Sequence, residues 1–286
     1  MMEKYLYGII PFSEYQKYRK VKKKDWIKSI LVFLFPYPNE TAESSGYKVA
    51  KYAYGQDYHQ VIATKLEEIA QELHLERYQV LVDQSFLDEK FCASLAGLGK
   101  VGRNNLLLTP EYGSRVLIGE IVTSEELHKK VRLIDNPCID CKKCIEACPS
   151  GALDDGFNKQ RCLSYLSQSN SAAYDLYDRM VLAVGCDICQ DVCPVNGKTY
   201  DYQVDFEFDA KAVFKPKEFY KLSEEEFQEY YRDKTFNYLG YLKILRNILV
   251  LEVKNKDISR EELENFQKLY PEKWFVEHLE YLKGRL

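Results

Sequence analysis

Two cysteine runs, set between strand-and-helix patterning before them and helical patterning after them, predict an α+β chain. The runs are "CIDCKKCIEACP" at 138–149 and "CDICQDVCP" at 186–194, and an unbroken apolar stretch, "ILVFLF" at 30–35, adds a buried strand ahead of them. Three consecutive parts are expected: a mixed α/β domain over 1–130, a cysteine-rich domain over 131–200 and a helical region over 201–286. With 286 residues, 46% of them hydrophobic and 29% charged, the chain can bury a substantial core.

The elements follow in chain order. "MMEKYLYGIIP" lacks the apolar core and small-residue cleavage site of a secretory signal, and "ILVFLF" is too short to cross a bilayer, so a cytoplasmic protein with no membrane partner is expected. The basic run "YRKVKKKDWIK" at 18–28 reads as a solvated helix face, with a phosphate-binding surface as the alternative. A net charge of −4 does not exclude a nucleic-acid partner, because local patches decide such binding. "PYPNE" ends the first apolar strand, and Asp57 is placed to cap a helix in which Val61, Ile62, Leu66, Ile69, Ala70 and Leu73 recur at helical spacing. "YQVLVDQ" at 78–84 and "SRVLIGEIVTS" at 114–124 read as strands, joined through the turn-rich "AGLGKVGRNNLLLTPEYGS". After about residue 211 the pattern is helical: Ser223 with Glu226 forms a capping box, "YLKILRNILVLEV" follows, and an amphipathic stretch runs on from Ser259. This last region reads as a truncated helical-repeat array. The 23 tyrosines suit interfaces and cofactor pockets, although compositional bias accounts for them equally well.

In a reducing compartment nine cysteines read as metal ligands rather than disulfides. The first run has the bacterial ferredoxin spacing C-x2-C-x2-C-x3-C-P, in which three thiolates hold one 4Fe–4S cluster and the cysteine before proline crosses to the other. Cys138, Cys141 and Cys144 then belong to cluster 1, Cys148 crosses to cluster 2, Cys186 and Cys189 hold cluster 2, and Cys193 crosses back to cluster 1. Cluster 2 lacks one ligand, for which Cys162 and Cys92 are the candidates. Cys162 lies between the runs and is chosen; Cys92, in an apolar helix-like stretch, reads as a small buried hydrophobe. Zinc sites pair Cys-x2-Cys units without the third cysteine and the Cys-Pro of both runs, so a bacterial ferredoxin-like domain with two 4Fe–4S clusters is expected at 131–200.

Roughly residues 30–250 resemble the epoxyqueuosine reductases, a cobalamin- and iron–sulfur-dependent family of tRNA modification. The stretches that carry the resemblance are "KYAYGQDYH" at 51–59, "LVDQS" at 81–85, "AGLGKVGRNNLLLTPEYGS" at 96–114, "IGEIVT" at 118–123, "RCLSYL" at 161–166 and "GCDICQDVCPVN" at 185–196. In that family the cysteine of "RCLSYL" ligates the second cluster, in agreement with Cys162. The resemblance implies a cobalamin-binding α/β domain and reduction of epoxyqueuosine in tRNA to queuosine. Electrons pass through both clusters to cobalamin, and Asp83 acts as the proton donor. It implies cofactor contacts at Tyr52, Gly55, Asp83, Gly97, Gly99, Gly102, Arg103, Ser164 and Tyr165. For the three glycines tight turns are the alternative, and for Asp83 a turn or cap. The end of an apolar strand is also where burial keeps a carboxyl protonated. "DYHQVI" begins like a cobalt-ligating motif but has Ile62 where that motif has glycine, so His59 is read as a pocket or packing residue and Asp57 as a helix cap. The partners implied are tRNA with a queuosine-type anticodon and an external low-potential electron donor, and a monomer is expected. The match weakens toward both ends, as a short-form member would show. The alternatives are a cobalamin-dependent reductase of an organohalide or free nucleoside, and a non-catalytic electron-transfer or corrinoid-reactivating protein.

Overall fold

The computed structural model describes residues 2–21, 24–43, 45–197, 206 and 209–286. Contacts divide the chain into two units: Met1–Asn39, Tyr58–Cys144 and Gln190–Phe206 form the first, and Glu40–Asp57, Ile145–Cys189 and Glu207–Leu286 the second. Three consecutive segments do not coincide with these units, because the chain leaves and re-enters each of them. One boundary falls inside the first cysteine run, after Cys144, and another inside the second run, after Cys189.

The first unit is built on a four-stranded sheet. β1 (Leu6–Pro11), β2 (Ser29–Pro36), β3 (Tyr78–Val82) and β4 (Val116–Thr123) lie in the order β1-β2-β4-β3, every neighbouring pair antiparallel. β2 is buried along its whole length, which explains why its sequence is continuously apolar rather than alternating. Register assigns the faces. Gly8, Val32, Glu120 and Leu81 fall in one row across the sheet, and Tyr7, Phe33, Gly119 and Val82 in the next, on the opposite face. α1 (Tyr58–Glu72) covers the Gly119 face through Ile62 and Leu66: a Cβ at Gly119 would stand 2.6 Å from Ile62 and 2.8 Å from Leu66. α2 (Glu89–Leu95) covers the other face, where Cys92, Ala93 and Ala96 join Ile30, Val32, Leu34, Leu81 and Val122 in one core. Asp88 caps α2 by accepting the Phe91 amide at 3.2 Å.

The 18–28 run differs from the helix expected there. Its described residues form turns and irregular backbone, and Lys22 and Lys23 lie outside the described residues. Consecutive like charges carry no apolar stripe with which a helix could dock. The flanking cations lie over aromatic rings instead: Arg19 over Phe91 at 4.2 Å and Lys24 over Phe86 at 4.9 Å.

The second unit is mainly helical. α3 (Leu163–Gln168) follows Cys162, and α4 (Glu224–Tyr230), α5 (Tyr241–Asn255), α6 (Arg260–Leu269) and α7 (Lys273–Lys283) close the chain. The Ser223–Glu226 capping box forms as expected, and Ser259 with Glu262 makes a second one at the start of α6. α5 is buried almost all round, from Ile244 to Val253, which makes it the central helix of this unit's core. Among the described residues no helix is long and apolar enough to cross a membrane.

Candidate iron–sulfur and active site

Each predicted cysteine set falls within one unit. Cys138, Cys141, Cys144 and Cys193 belong to the first unit and line one cavity together with Arg103, Asn104, Leu108, Ile139, Lys142, Pro194 and Val195. A short helix, Lys143–Ala147, buries Cys144, and the Cys193 amide donates to the Gln190 carbonyl at 3.1 Å. Cys193 thus lines the same cavity as the three cysteines of the first run.

Cys148, Cys162, Cys186 and Cys189 belong to the second unit. Burial pushes the Cys186 thiol up to about 12; the Ile188 amide opposes this, and neighbouring Cys162, Asp187 and Cys148 add to it. Three of the four sulfurs therefore share one electrostatic environment. Cys186 is aimed by its backbone: Gly185 has φ +77°, and a Cβ there would lie 2.5 Å from that of Ala50. The Ala50 amide donates to the Val184 carbonyl at 2.8 Å, tying the same segment down. Among the described residues no three His, Cys, Asp or Glu side chains converge on a single-ion site. A four-iron cube needs no such convergence, because each thiolate binds a different iron. Cys92 is fully buried in α2 beside Glu120, and burial raises its thiol far above the ordinary value. It behaves there as a packing residue.

Asp83 follows β3 at φ +54°, and its side chain is 41% exposed. Burial at the end of an apolar strand is therefore not its environment: β3 is an edge strand, and only Leu81 of its five residues is buried. The carboxyl is instead held by its neighbours on α1. The Tyr58 hydroxyl donates to Oδ2, and His59 Nε2 lies 3.1 Å from the same oxygen, the two rings stacking at 4.1 Å. Proton-holding carboxyls do occur close by, the half-buried Glu89 and the buried Glu120. Burial raises Glu89 to about 8, with Asp83 and Glu120 adding their charge, and burial raises Glu120 to about 7 against hydrogen bonds from Cys92 and Ser85. Ser85 Oγ donates to Glu120 Oε2 at 3.1 Å, anchoring the turn that carries Asp83 to the sheet interior.

The expected cofactor contacts separate into two groups. A Cβ at Gly97 would meet the Arg132 carbonyl at 2.2 Å, at Gly99 the Leu108 carbonyl at 2.6 Å, and at Gly102 the Leu108 side chain at 2.5 Å. The chain itself fills the space these glycines open, so close packing accounts for them. Arg103 pairs with Asp140 at 2.6 Å; that partner, and behind it Cys138 and Cys144, holds the guanidinium above its ordinary value. It serves the cysteine cavity. Ser164 and Tyr165 are half-buried on α3, immediately after Cys162, with Lys159 over the Tyr165 ring at 4.7 Å. Tyr52 is half-buried beside Gly185, and the Gly55 carbonyl accepts from Lys234 at 3.4 Å.

Tyr58, Ser85, Glu89 and Glu120 were not among the residues expected at this site. Glu120 carried a signal: a carboxyl in the middle of the apolar "IGEIVT". The Tyr58–His59 pair lay in a motif whose own helix turned both rings toward Asp83.

Comparison with known proteins bears on the same regions. The model of the family described as epoxyqueuosine reductase QueG matches residues 21–84, and that of a 4Fe-4S double cluster binding domain matches residues 137–196. The epoxyqueuosine reductase of Bacillus subtilis is 32% identical over 251 residues, covering 81% of this chain and 64% of the relative. That of Lactococcus garvieae is 37% identical over 183 residues, covering 59% of this chain and 52% of the relative. The chain thus spans only about half to two thirds of the length of these relatives. A crystal structure of epoxyqueuosine reductase with an epoxyqueuosine-modified tRNA stem loop matches with a TM-score of 0.86 at 26% identity, over 98% of this chain and 86% of that one.

Proposed function

We propose that this chain, which matches the epoxyqueuosine reductase family model over residues 21–84 and resembles such enzymes in sequence and fold, performs that family's reaction, reducing epoxyqueuosine in tRNA to queuosine. Opening the epoxide to an alkene takes two electrons and two protons and releases the oxygen as water. The observation that carries the reading is the gathering of each four-cysteine set in one unit, in a chain that also presents an oriented carboxyl at Asp83.

Cys138, Cys141, Cys144 and Cys193 would hold one 4Fe–4S cluster and Cys148, Cys162, Cys186 and Cys189 the other, supplied by an external low-potential donor. Bound cobalamin would supply a low-potential, strongly nucleophilic centre for the epoxide carbon. Its support in the residues is partial. Ser164 and Tyr165 stand two and three residues after Cys162, a ligand on this reading, and Tyr52 lies beside Gly185, so these three with Gly55 are the contacts we assign to it. The three glycines and Arg103 serve the chain's own packing and the cysteine cavity, and we do not assign them.

Asp83 would deliver a proton to the departing oxygen. Tyr58 and His59 fix the direction of its carboxyl, while the nearby Glu89 is held largely protonated at neutral pH. The helices from Glu224 to Lys283, read as a short helical-repeat segment, would contribute to holding tRNA. Anaerobic reconstitution with iron, sulfide and cobalamin tests the assignment. Eight irons per chain and a cobalamin spectrum changed by the protein are expected, whereas eight irons with no cobalamin bound would favour a plain electron carrier.

A further inference from the structure

Two neighbouring residues of α5, Arg246 and Asn247, are fully buried although both are strongly polar. A buried guanidinium is costly unless its N–H groups all find acceptors. Here Nη2 donates to the carbonyls of Leu166 at 3.1 Å and Ser169 at 2.9 Å, Nη1 to the Tyr177 hydroxyl at 3.3 Å, and Nε to Asn247 Oδ1 at 2.7 Å. Asn247, oriented by that last bond, uses its amide nitrogen twice. It donates to the Ser167 carbonyl at 2.7 Å and to the Ala183 carbonyl at 2.6 Å.

The carbonyls come from two segments. Leu166, Ser167 and Ser169 lie in or just after α3, whose N-cap is Cys162. Ala183 stands three residues before Cys186, and between them the Gly185 amide donates to Ser167 Oγ at 2.9 Å. Apart from the Arg246 bond to the Tyr177 hydroxyl, every bond in the set ends on one of the two segments that carry these cysteines, or orients a side chain that does.

We propose that Arg246 and Asn247 are positioning residues for the second cluster, locking the segment that bears Cys162 to the segment that bears Cys186 and so setting the spacing of these two thiolates. The inference rests on the reading of Cys148, Cys162, Cys186 and Cys189 as one ligand set. It gives the central C-terminal helix a part in the electron relay, through contacts to backbone rather than to the cluster. It also supplies a physical reason why a ligand displaced from the ferredoxin run can still be held accurately. Ligand-bearing loops far apart in sequence need an outer shell to fix them.

The test is release of iron to a ferrous chelator from anaerobically reconstituted holoprotein, with the EPR signals of the two reduced clusters followed in parallel. Asn247→Leu and the near-isosteric Asn247→Asp both remove the two N–H donors. In either variant the irons of the second cluster should leave about 10–100-fold faster while those of the first leave at the wild-type rate. Ser167→Ala, which removes the acceptor for the Gly185 amide together with a bond to the Ser164 carbonyl within α3, should fall between these and wild type and carries the test if the Asn247 variants do not fold. Faster release from both clusters together, or unchanged release from both, would overturn the proposal. If wild type binds a single cluster, or Cys162→Ala keeps both, the ligand-set reading itself fails; uniform release from a two-cluster protein sinks only the clamp.

Discussion

Replacing Asp83 by Asn separates orientation from proton delivery. Asn keeps the size of the side chain and can still accept from the Tyr58 hydroxyl through its amide oxygen, but it has no acidic proton to give. A positioned general acid contributes about 10²–10⁴ in rate, or about 3–5 kcal/mol of barrier, and that is the expected loss in the single-turnover rate. Tyr58→Phe removes one of the two groups that orient the carboxyl, a hydrogen bond worth about 1 kcal/mol, so about a fivefold loss is expected. Because Tyr58 acts through Asp83, the double variant should be no slower than Asp83→Asn alone. The assay is conversion of epoxyqueuosine-containing tRNA under a strong chemical reductant, with cobalamin binding measured in each variant as the control. A rate for Asp83→Asn within a few-fold of wild type, at full cobalamin occupancy, would refute Asp83 as the acid. Additive losses would refute the route through Tyr58.

Other consequences are independent of turnover. Glu120 holds its proton up to about pH 7 in the folded protein but loses it near 4.5 when unfolded, so stability should fall as pH rises through that window, by about 3 kcal/mol. Glu89, raised to about 8, extends the decline in the same direction. The thermal midpoint should drop between about pH 5 and about pH 8, and Glu120→Gln should flatten much of that drop; a wild-type midpoint that rises with pH would contradict the buried-acid description. Gly119→Val would drive a side chain into Ile62 and Leu66, and about 1–3 kcal/mol of lost stability is expected, seen as a lowered midpoint at constant cluster content. Cys92→Ala should leave both clusters in place, as iron analysis would show, since Cys92 packs inside α2.

What could be read in the sequence was what local chemistry decides. β2 announces itself because burial on both faces demands an unbroken apolar run, and α1 because one face meets the sheet at helical period. The spacing of a tight loop alone predicts the crossing of Cys148 and Cys193, and each falls in the unit that holds the rest of its expected set. The surroundings of Asp83 could not be read this way. Its exposure depends on β3 being an edge strand, and its partners come from a helix that precedes it in the chain. The glycines at 97, 99 and 102 look alike whether a ligand or the chain's own carbonyls fill the space, and only the packing of Arg132 and Leu108 decides. The two-unit division was hidden for the same reason, since it arises where distant stretches meet.

The most direct measurement is of the nucleoside. Protein reconstituted with both clusters and cobalamin, reduced, and given tRNA bearing epoxyqueuosine should yield queuosine, detected in the digested tRNA as the loss of one oxygen atom. Omitting cobalamin, or replacing Cys162 by Ala, should abolish it. Unchanged epoxyqueuosine in the presence of a fully loaded, reduced protein would contradict the account.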